Sequence, residues 1–158
     1  MNLNRLTWSI LTALLMMAIS WLGLLNYLED PTITQLIIYG FYGLSTGFLL
    51  FFNRKGLQPF SDFFQIGFKH SIVVTLLMTL FSYVFIQLHP DLIEASAMQF
   101  SSALQQTNSR TPTEIEREVK LYTEGYPTML VSRTIFGYLI VGSLVTAISS
   151  FLLTLQKN

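Results

Sequence analysis

Four long apolar stretches divide the chain, and each is closed by a short cluster of polar or charged residues. The first runs from Leu6 to Leu28, interrupted only by small or uncharged polar residues. A helix of that length rises roughly 34 Å, enough to cross a hydrocarbon core of ~30 Å. Three more follow, so the pattern predicts spans over about 6–28, 33–52, 71–88 and 129–155. Between the first two lies Glu29-Asp30-Pro31-Thr32, where Asp30 suits a helix cap and Pro31 the first helical position. So short a connection makes an antiparallel helical hairpin. A cleaved signal peptide competes for the first run, because Arg5 precedes it. Against it, the run outlasts a typical signal core and no small-x-small cleavage site lies between Trp21 and Leu28.

Asn53-Arg54-Lys55-Gly56 ends the second helix with positive charge and a glycine stop. Residues 60–70 mix phenylalanine with polar residues and read as an interfacial lead-in helix to the third span. His89-Pro90-Asp91 then opens the one long polar segment, 91–125, in which two short helices are legible. In the first, Ile93, Ala97, Phe100 and Leu104 recur at helical spacing; in the second, Ile115, Val119 and Tyr122 do so. Asn108-Ser109-Arg110 is a turn, and Thr111-Pro112-Thr113-Glu114 is a capping box with proline in the first helical position. Glu116 and Lys120 are spaced to pair along the second helix, Gly125 reads as its stop, and Tyr126-Pro127 as the entry to the fourth span. The expected fold is all-α: an integral membrane four-helix bundle, residues 1–158 forming one membrane domain, with an extracytoplasmic helical pair between the third and fourth spans.

Charge sets the orientation. Arg5, Arg54, Lys55, Lys69 and Lys157 fall on one side of a four-span arrangement, and the opposite short turn carries only Glu29 and Asp30. Basic short loops stay cytoplasmic, which places both termini in the cytoplasm and the 91–125 segment outside. Composition agrees with a lipid solvent: 51% of the residues are hydrophobic and 11% charged, against roughly 25% charged in a soluble domain. The formal net charge of zero leaves no nucleic-acid footprint, and the absence of cysteine removes disulfides, thiolate metal sites and thiol nucleophiles.

Candidate chemistry is sparse. His70 and His89 are 19 residues apart, roughly 28 Å along a helix, and cannot share a metal; both read as anchors at the ends of the third span. Arg133 is the clear charge inside a span, six residues after Pro127, where a long side chain snorkels to the interface. With His89 it is a candidate contact for a headgroup or anion. Small residues are more informative. Gly43 and Gly47 make a GxxxG with Gly40 a turn earlier, while Gly142, Thr146 and Ser150 recur every four residues, with Ser143 and Ala147 in a parallel row. Such faces let helix backbones approach, either within this bundle or against a partner. Thr75, Thr79, Ser82 and Tyr83 add a mildly polar stripe to the third span. Asp91 and Glu94 suit a helix start better than a cation site. No catalytic, cofactor or metal signature emerges.

Phe60 to His70, His89-Pro90-Asp91-Leu92-Ile93-Glu94, Thr113-Glu114-Ile115-Glu116 and Gly142-Ser143-Leu144-Val145-Thr146-Ala147-Ile148 together resemble a bacterial membrane family, domain of unknown function 4199, common in Bacteroidota. The resemblance implies an inner-membrane location in a Gram-negative cell and brings no activity or ligand. The expected function is a non-enzymatic accessory or assembly subunit of an envelope complex. Its partners are the lipid bilayer and other membrane proteins or further copies of itself, with no nucleic acid. The alternative is a small oligomeric transporter or lipid-handling protein, and a membrane enzyme assembled near Asp91, Glu94 and Arg133 ranks third.

Overall fold

The structure, a computed structural model, describes residues 3–24, 31–54, 59–107 and 110–155. They form five α-helices and no strand: α1 (Leu3–Leu24), α2 (Pro31–Phe52), α3 (Phe60–Leu88), α4 (Pro90–Gln106) and α5 (Pro112–Leu155). Four of these, all but α4, are long and apolar enough to cross a membrane. The expected Asp30 cap, Gly56 stop, Asn108-Ser109 turn and residues 156–158 lie outside the described residues.

Two helices are longer than the pattern predicts. α3 is continuous from Phe60 to Leu88, where a lead-in helix over 60–70 and a separate span were expected. The reason is a single buried face that keeps helical phase across the expected joint: Phe63, Gly67, His70, Val74 and Met78. On its other side Phe60, Phe64 and Phe68 stack at successive i,i+4 steps, with centroids 5.7 Å apart at each step. α5 runs unbroken from Pro112 to Leu155 with Pro127 inside it, so Gly125 does not end the second polar helix. A glycine stops a helix by turning left-handed, and Gly125 keeps an ordinary φ. Pro127 removes only the amide that would reach Thr123 one turn back. Such a loss is tolerated where side chains or water take up the freed carbonyl.

The chain divides into two compact units, Met1–Met78 with Ile135–Asn158, and Thr79–Thr134. The first is the bundle unit, made by α1, α2, the first part of α3 and the last part of α5. Its pattern is that of a lipid-solvated bundle. Leu14, Leu44, Leu76, Leu144 and Ile148 are exposed, while the interior is built largely from small and hydroxyl-bearing residues. With hydrocarbon outside, large side chains gain little by turning inward, and close backbone approach holds the helices together.

The second is the hairpin unit, in which α4 pairs with the start of α5. Ala97 is buried, Phe100 stacks on Tyr122 with centroids 4.4 Å apart, and the Ser96 and Tyr122 hydroxyls share a hydrogen bond of 2.8 Å. The capping box forms at the start of α5. The Thr111 amide and hydroxyl both donate to Glu114 Oε2 at 2.8 Å, and the Glu114 amide donates back to Thr111 Oγ1 at 3.4 Å. Arg110 pairs with Glu118 across the first two turns.

Candidate functional site

The interior of the bundle unit is where polar chemistry gathers. It starts at the end of the unit that carries Arg5, whose Nε donates to Asn53 Oδ1 at 2.7 Å, joining the beginning of α1 to the end of α2. One turn along α1 the hydroxyls close into a circuit. Trp8 Nε1 donates to Ser45 Oγ at 3.0 Å, Ser45 and Thr12 share a bond of 2.6 Å, and Thr12 Oγ1 donates to the Trp8 carbonyl at 2.9 Å. Thr12 has one proton and commits it to Trp8, so Ser45 is the donor to Thr12. Every hydroxyl proton in this circuit has an acceptor, and a buried network of that kind fixes the register of α1 on α2.

His70 is the contrasting member. Its side chain is fully buried, packed between α1 and α2. Nδ1 lies 2.8 Å from Ser9 Oγ, and the ring tilts against Tyr42 with centroids 6.1 Å apart. Here the expectation of an interfacial anchor fails: His70 belongs to the interior face of α3. Its other nitrogen, Nε2, is buried with no hydrogen-bond partner. The same is true in this unit of Tyr42 Oη, Thr75 Oγ1, Thr146 Oγ1 and Ser150 Oγ. The Tyr42 hydroxyl lies beside those of Ser71 and Thr75 without the alignment of a hydrogen bond. Ser71 and Thr46 instead turn their protons to their own helices, donating to the Gly67 and Tyr42 carbonyls at 3.0 and 2.9 Å.

The packing around these groups is tight. A Cβ on Gly67 would stand 2.5 Å from Thr146 Cγ2. On Gly142 it would stand 2.6 Å from Ser71 Oγ and overlap the Tyr42 hydroxyl. α3 and α5 therefore meet almost backbone to backbone. Farther along, Tyr138 sits edge-on to both Tyr42 and Tyr39, at 6.0 and 5.6 Å, and Gln35 Nε2 donates to the Tyr39 hydroxyl at 2.9 Å. A file of polar side chains thus threads the unit from Asn53 and Arg5 through Ser9, His70, Tyr42 and Tyr138 to Tyr39 and Gln35.

The residues singled out by spacing fall in several places. Gly142, Thr146 and Ser150 are buried on the inner face of α5. Gly43 and Gly47 face the same helix more loosely, their added Cβ atoms standing 3.5 Å from Val145 and 3.9 Å from Ser149, whereas Gly40 faces open space. Of the stripe on α3, Thr75 is buried and Tyr83 is exposed. His89 stacks on Phe85 at 4.2 Å and its Nδ1 donates to the Phe85 carbonyl at 2.9 Å; Arg133 is exposed. Asp91 and Glu94 are exposed on the first turns of α4, and among the described residues no three His, Cys, Asp or Glu side chains converge as metal ligands.

Sequence spacing missed Ser9, Thr12, Tyr42, Ser45, Ser71 and Tyr138. The signal was present but inverted: in the bundle unit the buried face of each spanning helix is the one richest in small and hydroxyl residues.

The family model for a protein of unknown function, DUF4199, matches residues 7–154, and the chain belongs to that family. No curated protein and no solved structure matches it.

Proposed function

We propose that this DUF4199 member is a non-enzymatic multi-pass protein of a bacterial inner (cytoplasmic) membrane, its termini cytoplasmic, whose bundle passes a small hydrogen-bonding species such as water or a proton. One observation carries the reading: five polar side-chain atoms around and beyond His70 are buried in the bundle unit without a protein partner. An unsatisfied polar group in a hydrocarbon setting costs several kcal/mol, on the order of 2–7 each. Packing alone gives no reason to keep five, and polar groups at membrane depth mark solute and proton paths.

For the accessory-subunit reading, two of the faces that could meet a partner are engaged within the chain. The small-residue faces lie against neighbouring helices of the same chain, and Phe100 and Tyr122 cover each other. What still favours it is narrower: Met98 on α4 and Leu121 near the start of α5 are 68% and 59% exposed, a place for a protein partner or a second copy.

The test is purified protein in liposomes, with osmotic water flux and proton leak followed by stopped-flow fluorescence. Flux above protein-free vesicles, reduced by His70→Phe, is the expected result. Vesicles no leakier than the lipid control, with a stoichiometric protein partner recovered in mild detergent, would restore the accessory-subunit reading.

A further inference from the structure

We infer that the His70 imidazole carries its proton on Nδ1, and that its bare Nε2 together with the Tyr42 hydroxyl holds a bound water inside the bundle. The inference deepens the function proposed above and rests on it for its purpose, though not for its geometry.

The tautomer follows from proton counting. Ser9 Oγ lies 2.9 Å from the Arg5 carbonyl, to which it donates, and 2.8 Å from His70 Nδ1. A carbonyl can only accept, and a serine hydroxyl has one proton. With that proton committed to Arg5, the bond to Nδ1 forms only if Nδ1 is the donor. Nε2 is then a lone pair in need of a donor, fully buried and unpartnered. The Tyr42 hydroxyl, equally buried, stands beside the Ser71 and Thr75 hydroxyls without an aligned hydrogen bond to either. Their rings lie 6.1 Å apart and their polar tips do not bond to each other. One water accepting from Tyr42 and donating to Nε2 satisfies both, through hydrogen bonds of ~2.8 Å each.

The surroundings restrict the ligand to water. A cation would meet a neutral set of hydroxyls and an imidazole. Of the charged side chains described in the unit (Arg5, Arg54, Asp62 and Lys69), three are themselves cationic and Asp62 is exposed. An anion would face the Nε2 lone pair. A larger species finds no room on the α5 side of the Tyr42 hydroxyl, which a carbon added at Gly142 would overlap.

With two histidines in the chain, the test reads one site. Full-length His89→Gln protein, ring-labelled with ¹⁵N-histidine and held in lipid nanodiscs, leaves the His70 signals alone. The expected spectrum shows a protonated Nδ1, an unprotonated Nε2, and magnetisation transfer from water to the ring. Tyr42→Phe should abolish or at least halve that transfer. Ser9→Ala, which removes the acceptor at Nδ1, should move the ring toward the Nε2-protonated tautomer, a change that a packing role alone does not produce. A ring protonated at Nε2, or one protonated at Nδ1 but receiving no magnetisation from water, overturns the inference without any variant. A hydrated ring in vesicles that show no flux sinks the proposed function alone; flux with a dry ring sinks this inference alone.

Discussion

The two units solve the same problem, holding helices side by side, with opposite materials. In the bundle unit the inward faces are rich in glycine, serine, threonine, tyrosine and histidine beside a few apolar residues such as Met16, Leu50 and Phe63, and most leucines point outward. In the hairpin unit α4 and α5 meet through Phe100 on Tyr122 and a buried Ala97, and the outward faces carry Asp91, Glu94, Glu116 and Lys120. Each choice follows from its solvent. Water drives apolar rings together, so a short amphipathic pair needs only one good stack and a hydroxyl bond. Lipid gives no such drive, and cohesion there depends on how closely backbones approach and on which polar groups find each other. The same residue type therefore has opposite meaning in the two units.

Glycine shows this most sharply, and substitution there should have the largest effect. Gly142→Val must displace the Tyr42 hydroxyl and Ser71, and overpacking of that kind costs on the order of 3 kcal/mol. Gly125→Ala meets open space in the middle of α5, and helix propensity alone should gain about 0.5–1 kcal/mol. Denaturation in mixed micelles measures both. Equal stability of the two variants would mean that the bundle interior is slack, and the contrast between the units would collapse.

How much of this was legible in the sequence also divides along the solvent boundary. The hairpin unit could be read directly, because Thr111-Pro112-Thr113-Glu114 announces a helix start and its apolar residues recur against a polar background. The spans could be read as lengths of apolar chain. The inner face of the bundle could not be read the same way, since inside an apolar helix the hydrophobic period carries no contrast. The informative period there is that of the small and hydroxyl residues. It was visible on α5 at Gly142, Thr146 and Ser150, where the repeat is regular. On α3 it was hidden by an expected break after His70, which split Gly67 from Ser71 and Thr75. On α1 and α2 serine and threonine look unremarkable, because such residues also bond their own helix, as Ser20 does with the Met16 carbonyl at 2.9 Å. Gly125 misled for another reason: glycine is a helix stop signal in water, and it does not act as one here.

A medium-sized effect is expected at the stack. Phe100→Ala removes a half-buried ring and its face-to-face contact, about 2 kcal/mol of hairpin stability. Tyr122→Phe keeps the ring and loses only the Ser96 bond, about 1 kcal/mol. Hydrogen exchange reports each change locally. Amides of α4 should open more readily in the order Phe100→Ala, Tyr122→Phe, native, while amides of α1 and α2 keep their protection. Equal loosening of the bundle amides would show that the units do not open separately.

The smallest effect, and the finest probe of the difference in solvent, is the pH response of the α5 start. The Glu114 carboxyl is held below its usual range, chiefly by the Thr111 amide, then by the Thr111 hydroxyl, with the Arg110 charge adding to both. A depressed carboxyl stabilises the folded cap at pH values above its unfolded value of about 4.3, and that contribution is lost as pH falls through the lower folded value. Protection of the first-turn amides of α5, corrected for intrinsic exchange, should therefore hold from neutral pH to about 4 and then decline. Glu114→Gln should start from a weaker cap and show no such decline. Among the described residues the buried face of the bundle unit carries no carboxylate, so its amides should ignore the same titration. A matching loss of protection at Ser45 and Ser71 would place an unrecognised acid-sensitive contact in the interior. A first turn indifferent to pH in the native chain would mean that the capping box contributes no measurable stability.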